Sequence, residues 1–141
     1  EVGNLQSLNF TTLSNNLLTG AIPTSFFSLP NLEILYIENN TLSGNIPTEI
    51  SNAPELRDLY LTGNILSGEI PEIPPGSLLT LEELLLSFNN LTGNMPSSIC
   101  ALRNDTIPSG SLISLHADCV IPPEPPEITC AVGCCTTCTG G

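Results

Sequence analysis

The sequence predicts a repeat solenoid of the α/β class, mostly β and irregular, built from short coils stacked along one axis. Two observations predict it. A pattern of leucines, one asparagine, one glycine and one proline occurs four times, starting at residues 8, 32, 56 and 81. The step between the repeated asparagines is 24, 24 and 25 residues. A unit of this length cannot bury its apolar side chains alone, so consecutive copies must stack.

The first half of each repeat predicts a short β-strand. It reads Leu-x-x-Leu-x-Leu, as at Leu32, Leu35 and Ile37. Two apolar positions that alternate with an outward one have the period of a half-buried strand. Each coil therefore adds one strand, and the strands lie parallel along one face. The asparagine that follows falls among buried positions, so its amide must be hydrogen-bonded, and backbone groups of adjacent coils are the predicted partners.

The second half of each repeat predicts an edge strand and a short convex turn. Leu-x-Gly-x-Ile-Pro supplies a flexible glycine and a proline that has no N–H to donate, which suits the start or the edge of a strand. The segments that follow, such as 24–29 and 48–53, are too short for long helices. We expect single turns there, many of them 3₁₀.

These motifs resemble those of leucine-rich repeat proteins over roughly residues 1–118. The Gly-x-Ile-Pro half is similar to the plant-type repeat of extracellular receptors and wall-protein inhibitors. The resemblance implies a right-handed coil with a concave parallel sheet and a second, short sheet after the glycine. It also implies that the repeated asparagines form a structural hydrogen-bonded ladder, whose members are Asn16, Asn40, Asn64 and Asn89.

The repeat pattern predicts two regions in the chain. Residues 1–118 hold the repeats: a partial upstream repeat at 1–7, the four regular repeats, and a degenerate last strand at 112–117. Because residues 1–7 match the convex half of a repeat, we expect the chain to be a processed or incomplete piece of a longer solenoid. Residues 119–141 form a proline-rich and cysteine-rich C-terminal cap.

The cysteines predict that this cap is held by disulfides. There are six, all in the last third of the chain: Cys100, Cys119, Cys130, Cys134, Cys135 and Cys138. An even count crowded at a solenoid end favours disulfides and an oxidising compartment. Cys134 and Cys135 are adjacent, so we expect them to bond different partners. Cys100 and Cys119 are expected to pair with each other or with the tail cluster.

The tail cluster also resembles the C-terminal cap of secreted repeat proteins from diatoms and related algae. Six cysteines allow 15 pairings, and the connectivity stays open. Two alternatives are chemical. One is a four-thiolate zinc site at Cys130, Cys134, Cys135 and Cys138, and the other is a redox pair at Cys135 and Cys138.

Composition excludes several classes of partner. Arg57 and Arg103 are the only fixed cations against 14 acidic residues, and the net charge is −12. Nucleic acids and anionic lipids need clustered Lys and Arg, so neither is a predicted partner. The most apolar run, 78–88, contains Glu82 and Glu83, so we expect no direct membrane insertion by this segment.

The sequence predicts no enzyme and no cofactor. It shows no phosphate-binding loop, no histidine pair with metal-ligand spacing and no serine elbow. His116 and Cys119 are close in sequence, but alternation along a strand points them in different directions. An outward histidine and a disulfide-bonded cysteine is therefore the favoured interpretation over a Cys–His nucleophile.

The outward strand positions predict a ligand-binding face. The middle column contains both tyrosines of the chain, Tyr36 and Tyr60, on neighbouring strands about 4.8 Å apart. Tyrosine is enriched at binding hot spots. The predicted ligand-binding residues are this pair, the acids around it and the histidine of the same column: Tyr36, Glu38, Asp58, Tyr60, Glu83 and His116.

The predicted function is therefore non-catalytic recognition of a protein or peptide ligand, outside the cell or at its surface. Area leaves an alternative open. The outward patch of five strands covers about 200 Å² before side-chain relief, against about 800 Å² per partner in a standard interface. The alternative is a structural subunit, packed laterally against neighbouring subunits in an extracellular or cell-surface assembly.

Four Asn-x-Ser/Thr motifs are candidate N-glycosylation sites. The composition alone yields about three such motifs by chance, so the count itself indicates little. We expect Asn104, in the irregular insertion at 97–111 that follows the last regular repeat, to be the most accessible. The candidates are Asn104, Asn39, Asn90 and Asn9.

Overall fold

The computed structural model of the chain describes residues 2–103, 111–118, 128–131 and 133–139. These residues form a solenoid of stacked coils with two parallel sheets and short helical turns between them. The predicted fold class is confirmed.

The first sheet, called the concave sheet below, takes one strand from the first half of each repeat. All its pairings are parallel, in the order β1-β3-β5-β7-β9-β10. Its strands are β1 (Phe10–Thr12), β3 (Ile34–Tyr36), β5 (Asp58–Tyr60), β7 (Glu83–Leu85), β9 (Ser114–Asp118) and β10 (Thr137–Thr139). The register aligns equivalent repeat positions, so Leu35 lies beside Leu59 inside the coil and Tyr36 beside Tyr60 outside it.

The second sheet takes a strand from the glycine-containing half of each repeat. Its order is β2-β4-β6-β8, with β2 (Thr19–Gly20), β4 (Thr41–Gly44), β6 (Ile65–Glu69) and β8 (Asn90–Thr92). The glycine is needed because the backbone is left-handed there, with φ of 78° at Gly68. A Cβ on Gly68 would also come within 2.7 Å of Asn45 Oδ1.

The convex side carries single helical turns. Thr24–Ser28 and Thr48–Asn52 are 3₁₀ helices, as predicted, and a third 3₁₀ turn spans Val2–Asn4. The fourth coil has one α-helical turn, α1 (Ser97–Cys100). The three turns within the regular repeats each follow the proline of the repeat, whose fixed φ suits a chain entering a helix.

A single apolar core runs along the solenoid axis. The leucines in the first half of each repeat point into it, with Leu32, Leu35 and Leu56 fully buried. From the convex side Phe27 and Ile50 close the core. Because every coil buries its leucines against its neighbours, stability depends on stacking rather than on any one coil.

Three of the repeated asparagines bind adjacent coils through their amides. The Asn64 Nδ2 group donates to the carbonyls of Ile37 and Leu61 at 3.1 and 3.0 Å, and its Oδ1 accepts from the Leu42 N–H at 3.0 Å. Asn40 and Asn89 are buried in the same way. Each amide thus satisfies backbone groups that would otherwise be buried without partners.

Asn16 departs from this arrangement. It was expected to be buried, but it is exposed and hydrogen-bonds only within its own coil, to the carbonyls of Leu13 and Ser14. In the ladder the Oδ1 accepts a backbone N–H from the preceding coil. Among the described residues, only the short turn Val2–Asn4 precedes this coil, and it offers no such N–H.

The last strand ends differently from the earlier ones. The degenerate strand was predicted at 112–117 and is observed at Ser114–Asp118. Alternation along this strand would point Asp118 outward beside His116, but Asp118 is only 5% exposed, and its Oδ2 accepts the Asn89 N–H at 2.9 Å. In the preceding coil, Asn64 N–H donates instead to the carbonyl of Phe88. The carboxylate therefore takes the place of a carbonyl from one more coil.

The cysteine-rich tail folds back onto both sheets. Thr129 exchanges hydrogen bonds of 2.8 Å with Gly93 and Met95 beside the second sheet, and β10 adds a sixth strand next to β9. The sequence did not predict β10.

Two disulfides hold the tail, as the cap assignment predicted. Cys100 bonds Cys134, and Cys130 bonds Cys135, so the two adjacent cysteines have different partners. Three of the four sulfurs proposed as zinc ligands are therefore engaged in disulfides, and the zinc alternative is wrong. Cys135 is also not free to pair with Cys138, so the redox alternative is wrong. Cys119 lies outside the described residues.

Candidate ligand-binding face of the concave sheet

An aromatic row, formed by Phe10, Tyr36 and Tyr60, crosses the concave sheet. The Tyr36 and Tyr60 rings are stacked, with centroids 4.1 Å apart and planes 18° apart. Phe10 meets Tyr36 edge-on at 6.0 Å. The stack follows from the sequence, because the parallel register of β3 and β5 places equivalent residues side by side at the strand spacing. Offset and edge-on contacts are the favoured geometries for aromatic pairs.

Each tyrosine hydroxyl donates a hydrogen bond to a carboxylate on the next strand. Tyr36 Oη lies 3.4 Å from Asp58 Oδ2, and Tyr60 Oη donates to Glu83 Oε2. Asp58 and Glu83 are themselves neighbours in register on β5 and β7. The site is thus two phenols and two carboxylates interleaved across three strands.

This environment raises the pKa of Tyr36, Tyr60 and Asp58. Burial raises the pKa of Tyr60, and the hydrogen bond to Glu83 raises it further. Burial is also the main reason that the pKa of Tyr36 is raised. The pKa of Asp58 rises through desolvation first and the charge of Glu83 second, and Arg57 only partly opposes this. The phenols therefore stay protonated at neutral pH, while the Asp58 charge is incompletely compensated.

Arg57, the basic residue nearest the site, already has partners. Its guanidinium forms an ion pair with Glu82 at 2.9 Å and lies 3.9 Å from Glu33. The hydrogen bond from Arg57 lowers the pKa of Glu82. Within the described ranges, Arg57 forms these two ion pairs, and neither includes Asp58 or Glu83. The face presented by the aromatic row is therefore net negative.

The other two predicted binding residues lie beside this cluster rather than in it. Glu38 follows Tyr36 on the same side of the sheet, and its Oε2 is buried without a hydrogen-bond partner in the described part of the chain. His116 lies on β9, separated from Tyr60 by Leu85 in the same register column, and its Nε2 is 3.0 Å from Ser114 Oγ. The structure thus brings together four of the six predicted residues.

Two aromatic residues of this region were not among the predicted binding residues. Phe10 belongs to the aromatic row, and Phe88 lies at the turn after β7 with 62% of its surface exposed. Phe88 has a left-handed φ of 58°, which is rare for a bulky residue. The equivalent positions in earlier repeats are Asn15, Asn39 and Gly63. Asparagine and glycine tolerate a left-handed backbone, so a phenylalanine at the same repeat position is unusual. That contrast is the sequence signal that could have identified Phe88 as a candidate binding residue.

Three of the four glycosylation candidates are exposed. Asn9 and Asn90 lie on the surface, and Asn39 is exposed with its Nδ2 donating to Asn15 Oδ1 at 3.1 Å. Asn104 lies outside the described residues. Glycosylation at all four stays a prediction.

Over the described ranges, no group of three or more His, Cys, Asp or Glu side chains is placed to hold a metal ion. In the same part of the chain, no helix has the length and apolar character needed to cross a membrane.

Comparison with known protein families finds leucine-rich repeats. Two sequence profiles described as leucine rich repeat match the chain, one over residues 3–66 and the other over residues 80–102. No curated protein sequence matches the chain.

Among solved structures, the chain is similar to plant receptor ectodomains. It is 42% identical to a TDR receptor, with a TM-score of 0.64 over 70% of this chain. It is 32% identical to the leucine-rich repeat ectodomain of the Arabidopsis thaliana receptor kinase GASSHO1/SCHENGEN3, with a TM-score of 0.70 over 86% of this chain. It is 35% identical to the plant peptide hormone receptor RGFR1, solved in complex with RGF2, with a TM-score of 0.57 over 86% of this chain.

The chain spans only a small part of these receptors. It covers 17% of the TDR receptor chain, 17% of the GASSHO1/SCHENGEN3 chain and 23% of the RGFR1 chain.

Proposed function

Because this chain belongs to the leucine-rich repeat family, we propose that it is a non-catalytic extracellular recognition module that binds a protein or peptide ligand on its concave sheet. The observation that carries the proposal is the stacked Tyr36–Tyr60 pair, fixed by hydrogen bonds to Asp58 and Glu83. Rigid, amphipathic aromatic side chains supply contact area at low entropic cost, which is why they act as binding anchors.

Two further observations support the setting and the kind of partner. The Cys100–Cys134 and Cys130–Cys135 disulfides persist in oxidising compartments, as expected for a protein outside the cell. Among the similar structures, RGFR1 is named as a peptide hormone receptor.

The test is selection from a random heptapeptide library followed by binding measurements on single peptides. Replacing both tyrosines (Tyr36→Ala with Tyr60→Ala) removes the stack and should weaken the selected peptides at least about tenfold, since hot-spot truncations cost about 2 kcal/mol or more. The matched control is Leu17→Ala with Thr41→Ala, at two exposed positions outside the concave sheet. Circular dichroism and urea midpoints show whether both variants stay folded.

Two outcomes would overturn the proposal. One is that the selected peptides bind the tyrosine variant as tightly as the wild type. The other is that no peptide family is enriched on the wild-type protein.

A structural role in an assembly is the second candidate, and one observation favours it. At the β1 end an open apolar recess of about 210 Å³ is lined mainly by aliphatic and aromatic side chains. Leu13 and Leu18 are 37% and 38% exposed there, whereas the equivalent Ile37 and Leu42 are buried. A neighbouring subunit seated on this end would bury this surface, as an upstream coil of a longer solenoid would also do.

The measurement for this candidate is sedimentation equilibrium across about 1–200 µM, compared with the variant Leu18→Asp. Concentration-dependent association that this charge abolishes would support the assembly. A monomer throughout the range would remove the candidate, and it would leave peptide recognition untouched.

A further inference from the structure

We propose that the ligand of the concave sheet is a basic peptide that places an arginine side chain on the aromatic row. The guanidinium would lie against the tyrosine rings and donate hydrogen bonds to Asp58 and Glu83. This inference rests on the proposed function and adds the chemistry of the ligand to it.

The aromatic row supplies a surface that suits a flat cation. The faces of aromatic rings attract a cation within about 6 Å of the ring centre, and arginine is found there more often than lysine. Tyr36 and Tyr60 are half-buried and stacked on each other, so each ring keeps one face that the other does not cover. Their hydroxyls are hydrogen-bonded, which fixes the rings before any ligand arrives and lowers the entropic cost of binding.

The carboxylates decide the charge of the ligand. Each of Asp58 and Glu83 accepts one phenol hydrogen bond through one oxygen, and each keeps a second oxygen. The two groups are register neighbours, and the Arg57 charge is directed to Glu82 and Glu33. Two like charges side by side are stabilised by a shared cation, and charge complementarity of this kind sets the specificity of an interface.

The arrangement favours a guanidinium over an ammonium. Guanidinium has five N–H donors in a rigid plane, so it can reach two carboxylates on adjacent strands while keeping its face on a ring. An ammonium group is a compact, strongly hydrated point charge and cannot do both.

Further polar groups on the same side of the sheet are left without partners. Ser87 lies two residues after the end of β7 and is only 4% exposed. Its Oγ has no hydrogen-bond partner among the described residues. Glu38 Oε2 is in the same condition. Buried polar atoms of this kind are rare in native structures. Both atoms are closed to solvent, so a ligand on the surface of the sheet does not contact them, and the inference rests on the aromatic row and its two carboxylates.

The chain carries its own reporter for the test. It has no tryptophan and two tyrosines, and both are in the proposed site. Nuclear magnetic resonance shifts of the tyrosine ring protons therefore report binding there directly. The probes are three blocked pentapeptides, Gly-Gly-Arg-Gly-Gly, the same peptide with citrulline, which is the neutral analogue of arginine, and the same peptide with lysine.

The expected result is a saturable shift with the arginine peptide and binding at least about tenfold weaker with citrulline, since charge-assisted hydrogen bonds are lost. The lysine peptide should fall between them. The variant Asp58→Asn with Glu83→Gln should lose at least about tenfold for the arginine peptide. The control, Glu55→Gln with Glu69→Gln, changes the net charge equally at exposed positions away from the site and should bind as the wild type.

Either of two results would overturn the inference. One is equal binding of the arginine and citrulline peptides. The other is the absence of a saturable shift with the arginine peptide up to about 10 mM, which would mean a Kd above the millimolar range. The library of the preceding section separates the two proposals. If its selected peptides need the tyrosines but bind the Asp58→Asn, Glu83→Gln variant unchanged, recognition on the concave sheet stands and arginine recognition falls.

Discussion

At the scale of single residues, equivalent asparagines carry unequal shares of the stability. Asn64 is buried and links three backbone groups in two coils, whereas Asn16 is exposed and bonds only its own coil. Asn64→Ala leaves the buried Leu42 N–H without a partner, while the carbonyls of Ile37 and Leu61 keep only the amides of Asn40 and Asn89. We expect it to cost about 2–4 kcal/mol of unfolding free energy, since an unsatisfied buried group costs about 1–3 kcal/mol and each lost hydrogen bond adds about 1 kcal/mol.

The comparison with Asn16→Ala checks this, because the same substitution at the exposed position should cost less than about 1 kcal/mol. Urea midpoints of the two variants, measured by far-ultraviolet circular dichroism, give the difference directly. Equal midpoints would mean that the ladder is not what holds these coils together.

The charge of Asp58 sets a second prediction. Its pKa is raised in the folded state mainly by burial and then by the charge of Glu83. Glu82 also raises this pKa, whereas Arg57 and the hydrogen bond from Tyr36 lower it. A raised folded pKa gives stability that is present below the unfolded pKa and is lost as the pH rises through the folded pKa. The ionised carboxylate therefore costs stability at pH 7, and Asp58→Asn should raise the free energy of unfolding there, by no more than about 1 kcal/mol because the group is partly solvated. The urea midpoint should rise with it.

The gain from Asp58→Asn should shrink as the pH falls toward 4, where the wild-type carboxyl also becomes neutral. Glu82→Gln is the control of opposite sign. Arg57 lowers the pKa of Glu82, so that carboxylate stabilises the fold above its unfolded pKa, and the substitution should lower the midpoint at pH 7. A decrease with both variants would contradict the assignment of Asp58 as a desolvated charge.

At the scale of elements, the tail is a second source of stability for the last coil. Cys100 and Cys134 are 34 residues apart, so their disulfide closes a long loop in the unfolded chain. Removing a disulfide that closes a loop of this length lowers the free energy of unfolding by about 3–4 kcal/mol in the chain-entropy description. Replacing both cysteines by serine should therefore loosen β9 and β10 first.

Hydrogen exchange followed by mass spectrometry locates this effect. We expect protection to fall over residues 111–118 and 133–139 while β3 and β5 keep theirs. The variant Cys130→Ser with Cys135→Ser is the comparison, because its loop spans only 5 residues and should matter less. Uniform loss of protection along the whole chain would show instead that the cap supports every coil.

The elements that the sequence predicted are those that repeat. Strands β3, β5 and β7 follow from the leucine period, and the 3₁₀ turns from the short segments after Pro23 and Pro47. Strand β10 and the bridge at Thr129 were not predicted because they follow no repeat, and their positions depend on the long-range pairing of Cys100 with Cys134. Local patterns cannot encode such pairings.

At the scale of the whole molecule, the same distinction applies to the candidate site. The stacking of Tyr36 on Tyr60 could be predicted because it is a consequence of register. The phenol–carboxylate hydrogen bonds and the burial of Ser87 could not, since they depend on rotamers and on packing across three coils. Alternation along β9 would point Asp118 outward beside His116. Its burial instead supplies a partner for the Asn89 N–H, a requirement that alternation does not consider.

The regular step between coils has a mechanical consequence. Under tension applied at the two ends, each coil held only by its neighbours should detach as a unit, and one released coil of 24 residues adds about 80 Å of extended chain. Rupture should begin at the β1 end, because the cross-linked tail clamps the other one. Optical-tweezer traces should therefore show a staircase of nearly equal steps, and a single cooperative rupture would contradict this. The solenoid should therefore unravel under force one coil at a time, from the β1 end toward the cross-linked tail.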